Sequence, residues 1–408
     1  MIPMPMRNEP IEELSFGSIS SSTRPPHRKR VWLRIVISMI VTILVLGSAG
    51  GAWMWEYHWR MIDVTANGRT LQVRADTTLG TVLKSNNQFN QRPGRLLDIT
   101  GGTIEQTGGE PITTSLNGQI ITSDKLETTK LFNNANITVS AGKDVTEEHT
   151  VEHEPIPHGS SINLVGTIQL LKQSGKDGER EYWVGKRSHK RVDKEITQQP
   201  QDLIVESVTP RPKNHKVIAL TFDDGPSPFS SKILDILKEK GVKATFFDVG
   251  QNAQSYPAAE QRMVAEGHEV CSHSNTHANL PKLNRDALRS ELQAGFTNLE
   301  LASGTKTKVL RAPYGAFGKQ QWIDAHDLID MNVIWDIDTL DWKRPGEQAI
   351  HDAVLNNAHN GAIALMHDGG GDRSQDVAAL PSIIDDLKAQ GYEFVTIRQL
   401  LELSGINM

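Results

Sequence analysis

Between residues 35 and 55 the chain carries no charged side chain, reading IVISMIVTILVLGSAGGAWMW. A run of this length matches one helical crossing of a bilayer, because about 20 apolar residues span the hydrocarbon. Arg24, Arg28, Lys29, Arg30 and Arg34 precede it. Basic residues resist translocation, so the N-terminus is expected in the cytoplasm and everything after Trp55 outside. Trp53 and Trp55 fall where the outer interface would lie. The competing reading is a cleaved signal peptide, with 35–46 as its core and Ser48-Ala49-Gly50-Gly51-Ala52 supplying small residues for cleavage. The long N-terminal tail favours an uncleaved anchor, and five adjacent cations disfavour a buried core helix. No Cys follows the run closely, which excludes a lipoprotein anchor. Both surviving readings export the rest of the chain.

Export limits the chemistry. Cys271 is the single cysteine among 408 residues, so no intramolecular disulfide and no cysteine zinc cluster can form. A metal outside the membrane would have to be held by His and carboxylate ligands. The net charge of −6 gives no case for nucleic-acid binding.

Residues 1–34, rich in Pro, Ser and Arg, read as a disordered cytoplasmic tail, followed by the anchor at 35–55. Residues 56–142 alternate like strands, with hairpin signals at Asn67-Gly68 and Asn117-Gly118, where both turn residues must accept positive φ. A short helix is expected over 79–85. Residues 143–207 form a second β-rich, glycine-punctuated stretch and a linker, and resemble the small β-rich modules of bacterial surface proteins and wall enzymes. That resemblance implies a wall-facing spacer or a glycan-contacting module. His149 and His153, near His158, share one strand face, but a solvated strand is preferred over a metal site because no further ligand spacing accompanies them. The basic run Lys186, Arg187, His189, Lys190 and Arg191 could touch an anionic wall polymer, and a solvated face is the preferred reading.

From 208 to 408 the pattern changes to alternating strands and helices. Strands are expected at 217–222, 244–249, 269–271, 309–311, 333–335, 362–366 and 393–395, and helices at 230–240, 286–301 and 376–390. Such alternation implies an α/β domain with a parallel sheet, closing as a small or distorted barrel. Polar residues cluster at the strands' C-terminal ends, the face where barrel sites assemble. They are Thr221-Phe222-Asp223-Asp224-Gly225-Pro226, His273-Ser274-Asn275-Thr276-His277, Arg311-Ala312-Pro313-Tyr314-Gly315, Asp338-Thr339-Leu340-Asp341-Trp342 and Leu365-Met366-His367-Asp368. His273 and His277 are four apart, so one helical turn would point both imidazoles the same way. A carboxylate from Asp223-Asp224 would complete a three-ligand site with an open position. One aspartate would face the metal and the other a water, and His367 could protonate a leaving amine. Cys271 could be imagined as a fourth ligand, but a buried strand cysteine is preferred. Trp335 reads as core and Trp342 as a groove residue.

These five segments, TFDDGP, HSNTH, RAPYG, DTLDW and LMHD in that order, make residues 216–405 resemble the polysaccharide deacetylase family, also called the NodB-homology domain or carbohydrate esterase family four. The resemblance implies a distorted (β/α) barrel that hydrolyses N-acetyl or O-acetyl groups on a glycan. It implies Asp223 as catalytic base and Asp224, His273 and His277 as ligands of a divalent metal, zinc first, with cobalt or another divalent ion possible. Arg311 would orient the base, and the Tyr314 backbone N–H would help hold the oxyanion. Asp341 would tune His367, the general acid. Pro313, Trp342 and Leu365 would line the substrate groove, Leu365 beneath the acetyl methyl. With the anchor and spacer, the expected substrate is cell-wall glycan, foremost N-acetylglucosamine of peptidoglycan. Chitin-type oligosaccharides, an exopolysaccharide, acetylated xylan, or a purely wall-binding role are the alternatives. Protein partners are not legible.

Overall fold

The computed structural model describes residues 29–407. The tail expected over 1–34 therefore lies, up to residue 28, outside the described residues. A helix spans Lys29–Met54 and a further turn Trp55–Trp59. From Ile35 to Leu46 its large apolar side chains are exposed, and it is long and apolar enough to cross a membrane.

The chain divides into two compact units. The first runs to His149 and takes in Gly185–Lys190. Its five-stranded sheet has the order 69–74, 61–66, 135–140, 113–116, 119–121. Both expected hairpins form there. Asn67 (φ 44°) and Gly68 (φ 79°) turn the first, and Asn117 (φ 51°) and Gly118 (φ 81°) the second. The helix Leu79–Ser85 starts at Thr78, whose side chain accepts the Thr81 N–H at 3.2 Å. Ile62, Val64, Leu79, Val82, Leu83, Ile137 and Val139 form its core. The basic run is largely neutralised by carboxylates: Lys186 pairs with Glu148 at 2.7 Å, Lys190 with Asp98 at 2.6 Å, and Arg187 with Glu105.

The second unit comprises Thr150–Val184 and Arg191 to the C-terminus. Its main sheet has the order 160–162, 203–208, 168–173, 331–333, 309–310, 269–272, 245–248, 217–223, 362–367, 337–338, with 393–394 also pairing 217–223. The seven strands from 331–333 to 337–338 run parallel to one another. This is an α/β sheet curled as an open, distorted barrel; no pairing joins its two edges among the described residues. Helices Ser230–Lys240, Arg285–Ser303 and Ser374–Ala389 cover it. The strand Val217–Asp223 is buried along its whole length, as a parallel strand covered on both faces must be.

Two features differ from expectation. The sheet does not begin after 208: Ser160–Ile162, Ile168–Gln173 and Leu203–Val208 extend it, Ile168–Gln173 pairing antiparallel with Met331–Val333. The strand expected at 333–335 lies at Met331–Val333, and a further strand follows at Ile337–Asp338. The chain leaves the sheet after Val333 because the Val333 and Ile334 carbonyls accept Nε and Nη2 of Arg311 at 3.2 and 3.4 Å.

Candidate active site

Asp223 closes the buried strand Val217–Asp223, and Arg311 directly follows Val309–Leu310. Arg311 is 0% exposed. Its Nη1 donates to Asp223 Oδ1 and to Thr221 Oγ1, each at 2.7 Å, and its Cζ lies 4.0 Å from the centroid of the Phe247 ring. With Nε and Nη2 also bonded, the guanidinium is held in one orientation and fixes the carboxylate it faces. Burial pushes the Asp223 carboxyl above its usual range, and the Arg311 charge pulls against that rise. Asp223 is thus a carboxylate whose basicity is raised, held rigidly at a cavity wall.

Asp224 takes a left-handed backbone, φ 69°, which separates its course from that of Asp223. A side chain at Gly225 would collide with the Asp368 carboxylate at 2.3 Å, so the turn needs glycine there. Asp224 Oδ1 is buried with no hydrogen-bond donor, yet stands 3.2 Å from His277 Nε2 and 3.5 Å from His273 Nε2. His273 Nδ1 lies 2.7 Å from the Arg311 carbonyl. A carbonyl only accepts, so Nδ1 carries the proton and the Nε2 lone pair faces Asp224. Burial holds His273 neutral, its pKa down at about 3. One ligand atom from each of the three residues lies within 4.8 Å of the others. An orphaned carboxylate oxygen beside two imidazole nitrogens is the donor set of a zinc-type divalent cation.

The helical turn expected for His273–His277 does not form. These residues follow the strand Glu269–Ser272 as an irregular loop, with Ser274 at φ 65° and His277 at φ 58°. Glu291, from the helix Arg285–Ser303, holds it by accepting the Asn275 and Thr276 N–H groups at 3.0 and 2.6 Å. The rings still converge, their centroids 5.0 Å apart. Cys271 is buried and outside this ligand group. His149 and His153 also lie outside it.

His367 ends the strand Ala362–His367 in register with Asp223. Its Nδ1 lies 2.7 Å from Asp341 Oδ1, which leaves Nε2 as the ring nitrogen free for a substrate. Burial lowers the pKa of His367, but the bond and charge of Asp341 outweigh it and the net direction is upward. Leu365 lies two residues earlier on the same strand. Tyr314 is 64% exposed at φ 63°, its ring edge-on to His277 at 4.7 Å. Trp342 is 52% exposed at the rim. A cavity of about 430 Å³ is walled by Asp223, Asp224, His273, His277, Tyr314, Trp342, Leu365 and His367. Arg311, Pro313 and Asp341 are buried and do not line it. Trp335, read as core, packs half-buried against the core and also lines the cavity. Glu291 was not legible as a site residue, since it contacts the loop only across the fold.

Residues 210–328 match the family described as polysaccharide deacetylase. The peptidoglycan-N-acetylglucosamine deacetylase of Bacillus cereus is 40% identical over 195 residues, covering 47% of this chain and 71% of that protein. The chain belongs to the polysaccharide deacetylase family. A peptidoglycan-N-acetylmuramic acid deacetylase of Bacillus subtilis is 36% identical over 244 residues, 58% of this chain and 50% of that protein. A bifunctional xylanase/deacetylase of Pseudobutyrivibrio xylanivorans is 40% identical over 198 residues, 48% of this chain and 32% of that protein. The chain is a hydrolase of the family's kind.

Proposed function

We propose that this chain removes N-acetyl groups from cell-wall glycan, foremost N-acetylglucosamine of peptidoglycan, releasing acetate. The observation that carries this reading is the convergence on one cavity of an arginine-held carboxylate, a His-His-Asp cation site and a carboxylate-held imidazole. Relatives that act on peptidoglycan favour that polymer. The relative with a xylanase activity keeps acetylated xylan as the second reading.

In this reading Asp224, His273 and His277 hold a divalent ion, zinc or cobalt being suitable. When bound, such an ion polarises an acyl oxygen and acidifies water. Asp223, oriented by Arg311, accepts the proton of the attacking water. The Tyr314 N–H donates to the oxygen on which negative charge develops. His367, its Nδ1 proton directed at Asp341, gives a proton from Nε2 to the departing amine. Leu365 packs against the acetyl methyl and Trp342 lines the groove for the sugar, while the buried Pro313 acts behind it, opening the turn that carries Tyr314. The site can therefore supply base, acid and oxyanion donor.

The exposed apolar helix anchors the enzyme, with its N-terminus cytoplasmic and the catalytic unit outside; cleavage as a signal would release it instead. Residues 56–207 act as the spacer toward the wall, although 160–208 also contribute strands to the catalytic sheet. The test is acetate release by the full chain from purified peptidoglycan, chitin oligomers and acetylated xylan. Release chiefly from peptidoglycan supports the reading. Release from xylan alone replaces the substrate, and release from none refutes the activity.

A further inference from the structure

Behind His367 lies a second carboxyl that the mechanism above does not use. Asp341 Oδ1 already faces two donors, His367 Nδ1 at 2.7 Å and the Trp342 N–H at 2.8 Å. Its Oδ2 is buried with no donor. Both oxygens of Asp376, in the first turn of the helix Ser374–Ala389, are likewise buried and without a donor. The two side chains are in hydrogen-bond contact with each other. Two carboxylates cannot bond unless one carries a proton, and burying both as anions is strongly disfavoured.

We propose that Asp376 is a positioning residue that stays protonated, donates its O–H to Asp341 Oδ2, and thereby sets how tightly Asp341 holds the proton of His367. The proposal rests on the reading of His367 as general acid. Arg373, buried at the start of the same helix and bonded through Nε to the Gly369 carbonyl at 2.6 Å, favours the anion at both carboxyls, but burial and the contact with Asp341 outweigh it at Asp376. Asp223 and Asp224 act on His367 from the cavity side. The buried assembly then holds one carboxylate, one carboxylic acid, the imidazolium and one guanidinium, rather than two adjacent anions. Burial and the Asp341 charge raise Asp376 to about 9, while Asp341, despite burial, is held at about 2 by its bonds to His367 and Asp376. A helix first turn favours an anion only weakly, too little to oppose a like charge in direct contact.

The consequence concerns acid strength. A donor on Oδ2 withdraws charge from Asp341, so the carboxylate stabilises the imidazolium less. Without that donor His367 would hold its proton more tightly and release it to the amine more slowly.

The test uses the detergent-solubilised full-length chain loaded with zinc and labelled with ¹⁵N-histidine. Asp376→Leu removes the donor and roughly keeps the volume. Asp376→Asn keeps a donor that cannot ionise. In Asp376→Leu the His367 titration should move up by about one pH unit. Its kcat on peptidoglycan should fall roughly tenfold, the order of one charge-assisted hydrogen bond, with KM little changed. Asp376→Asn should return both toward the wild-type values. An unmoved His367 titration in a folded Asp376→Leu variant overturns the proposal, as does an Asn variant that behaves like the Leu variant. A shifted titration with an unchanged rate leaves the tuning standing and overturns the acid role of His367 instead. If Asp376→Leu does not fold, Asp376→Asn decides alone. A His367 titration that stays in place supports a protonated Asp376, and one that falls reveals that an anion has been removed.

Discussion

Replacing Arg311 by methionine tests the buried ion pair on which the orientation and charge of the base depend. The side chain is fully buried and bonds Asp223, Thr221, Val333 and Ile334. Removing one partner of such a pair leaves an uncompensated buried charge, a cost of about 3–5 kcal/mol. At about 2–4 °C per kcal/mol for a unit of this size, the midpoint should drop by roughly 6–20 °C. The kinetic effect has a definite sign. Burial already raises the Asp223 pKa and Arg311 is the main force lowering it, so the variant carboxyl should titrate about 1–3 pH units higher. A base must be ionised to accept a proton, so the acid limb of kcat/KM moves upward by that amount. At a fixed pH on that limb, the rate falls about tenfold for every pH unit the limb moves. Arg311→Lys keeps the charge but not the fork that reaches two carbonyls, and should lie between the two. The assays are acetate release from pH 5 to 9 and thermal melting. An Arg311→Met variant with an unmoved acid limb and a wild-type melting midpoint would refute the reasoning.

His277→Ala removes one of three converging ligand atoms, so zinc retained after dialysis should fall at least tenfold in affinity; unchanged zinc content would contradict the ligand assignment. Asp341→Asn removes the partner that raises His367, so the alkaline limb of kcat/KM should move to lower pH by about one unit, and an unmoved limb would count against His367 as the acid. Glu260 and Asp376 are raised by burial to about 8 and 9. Their stabilising contribution is full below their unfolded values near 4 and is lost as pH rises through 8 and 9, so the chelated protein should melt at lower temperature at pH 9 than at pH 6. A flat or rising midpoint over that interval would show that these carboxyls are not buried as acids.

Local features were legible because their causes are local. An Asn-Gly pair demands positive φ wherever it sits, and both hairpins formed around theirs. The helix expected over 79–85 begins at a threonine cap, and the strand and helix around 217–240 follow the apolar pattern. The motif residues gathered in and behind one cavity because strand ends of a parallel sheet share a face. What was not legible depended on partners far along the chain. A four-residue histidine spacing suggested a helical turn, but Glu291 holds the segment as a loop. Arg311 draws the chain out of the sheet after Val333, which displaced that strand. Asp376 reads as an ordinary first-turn acid until the fold sets it against Asp341, 35 positions earlier. Ile168–Gln173 joins the sheet by antiparallel pairing with both Leu203–Val208 and Met331–Val333, which a βα pattern does not announce.

The most direct test of the central claim is acetate release by the full-length chain from purified peptidoglycan, before chelation, after chelation, and after adding back zinc or cobalt. The expected result is release that chelator abolishes and either ion restores, with none from His273→Ala under the same conditions. Release that persists after complete chelation, or equal release by the His273→Ala variant, would contradict it.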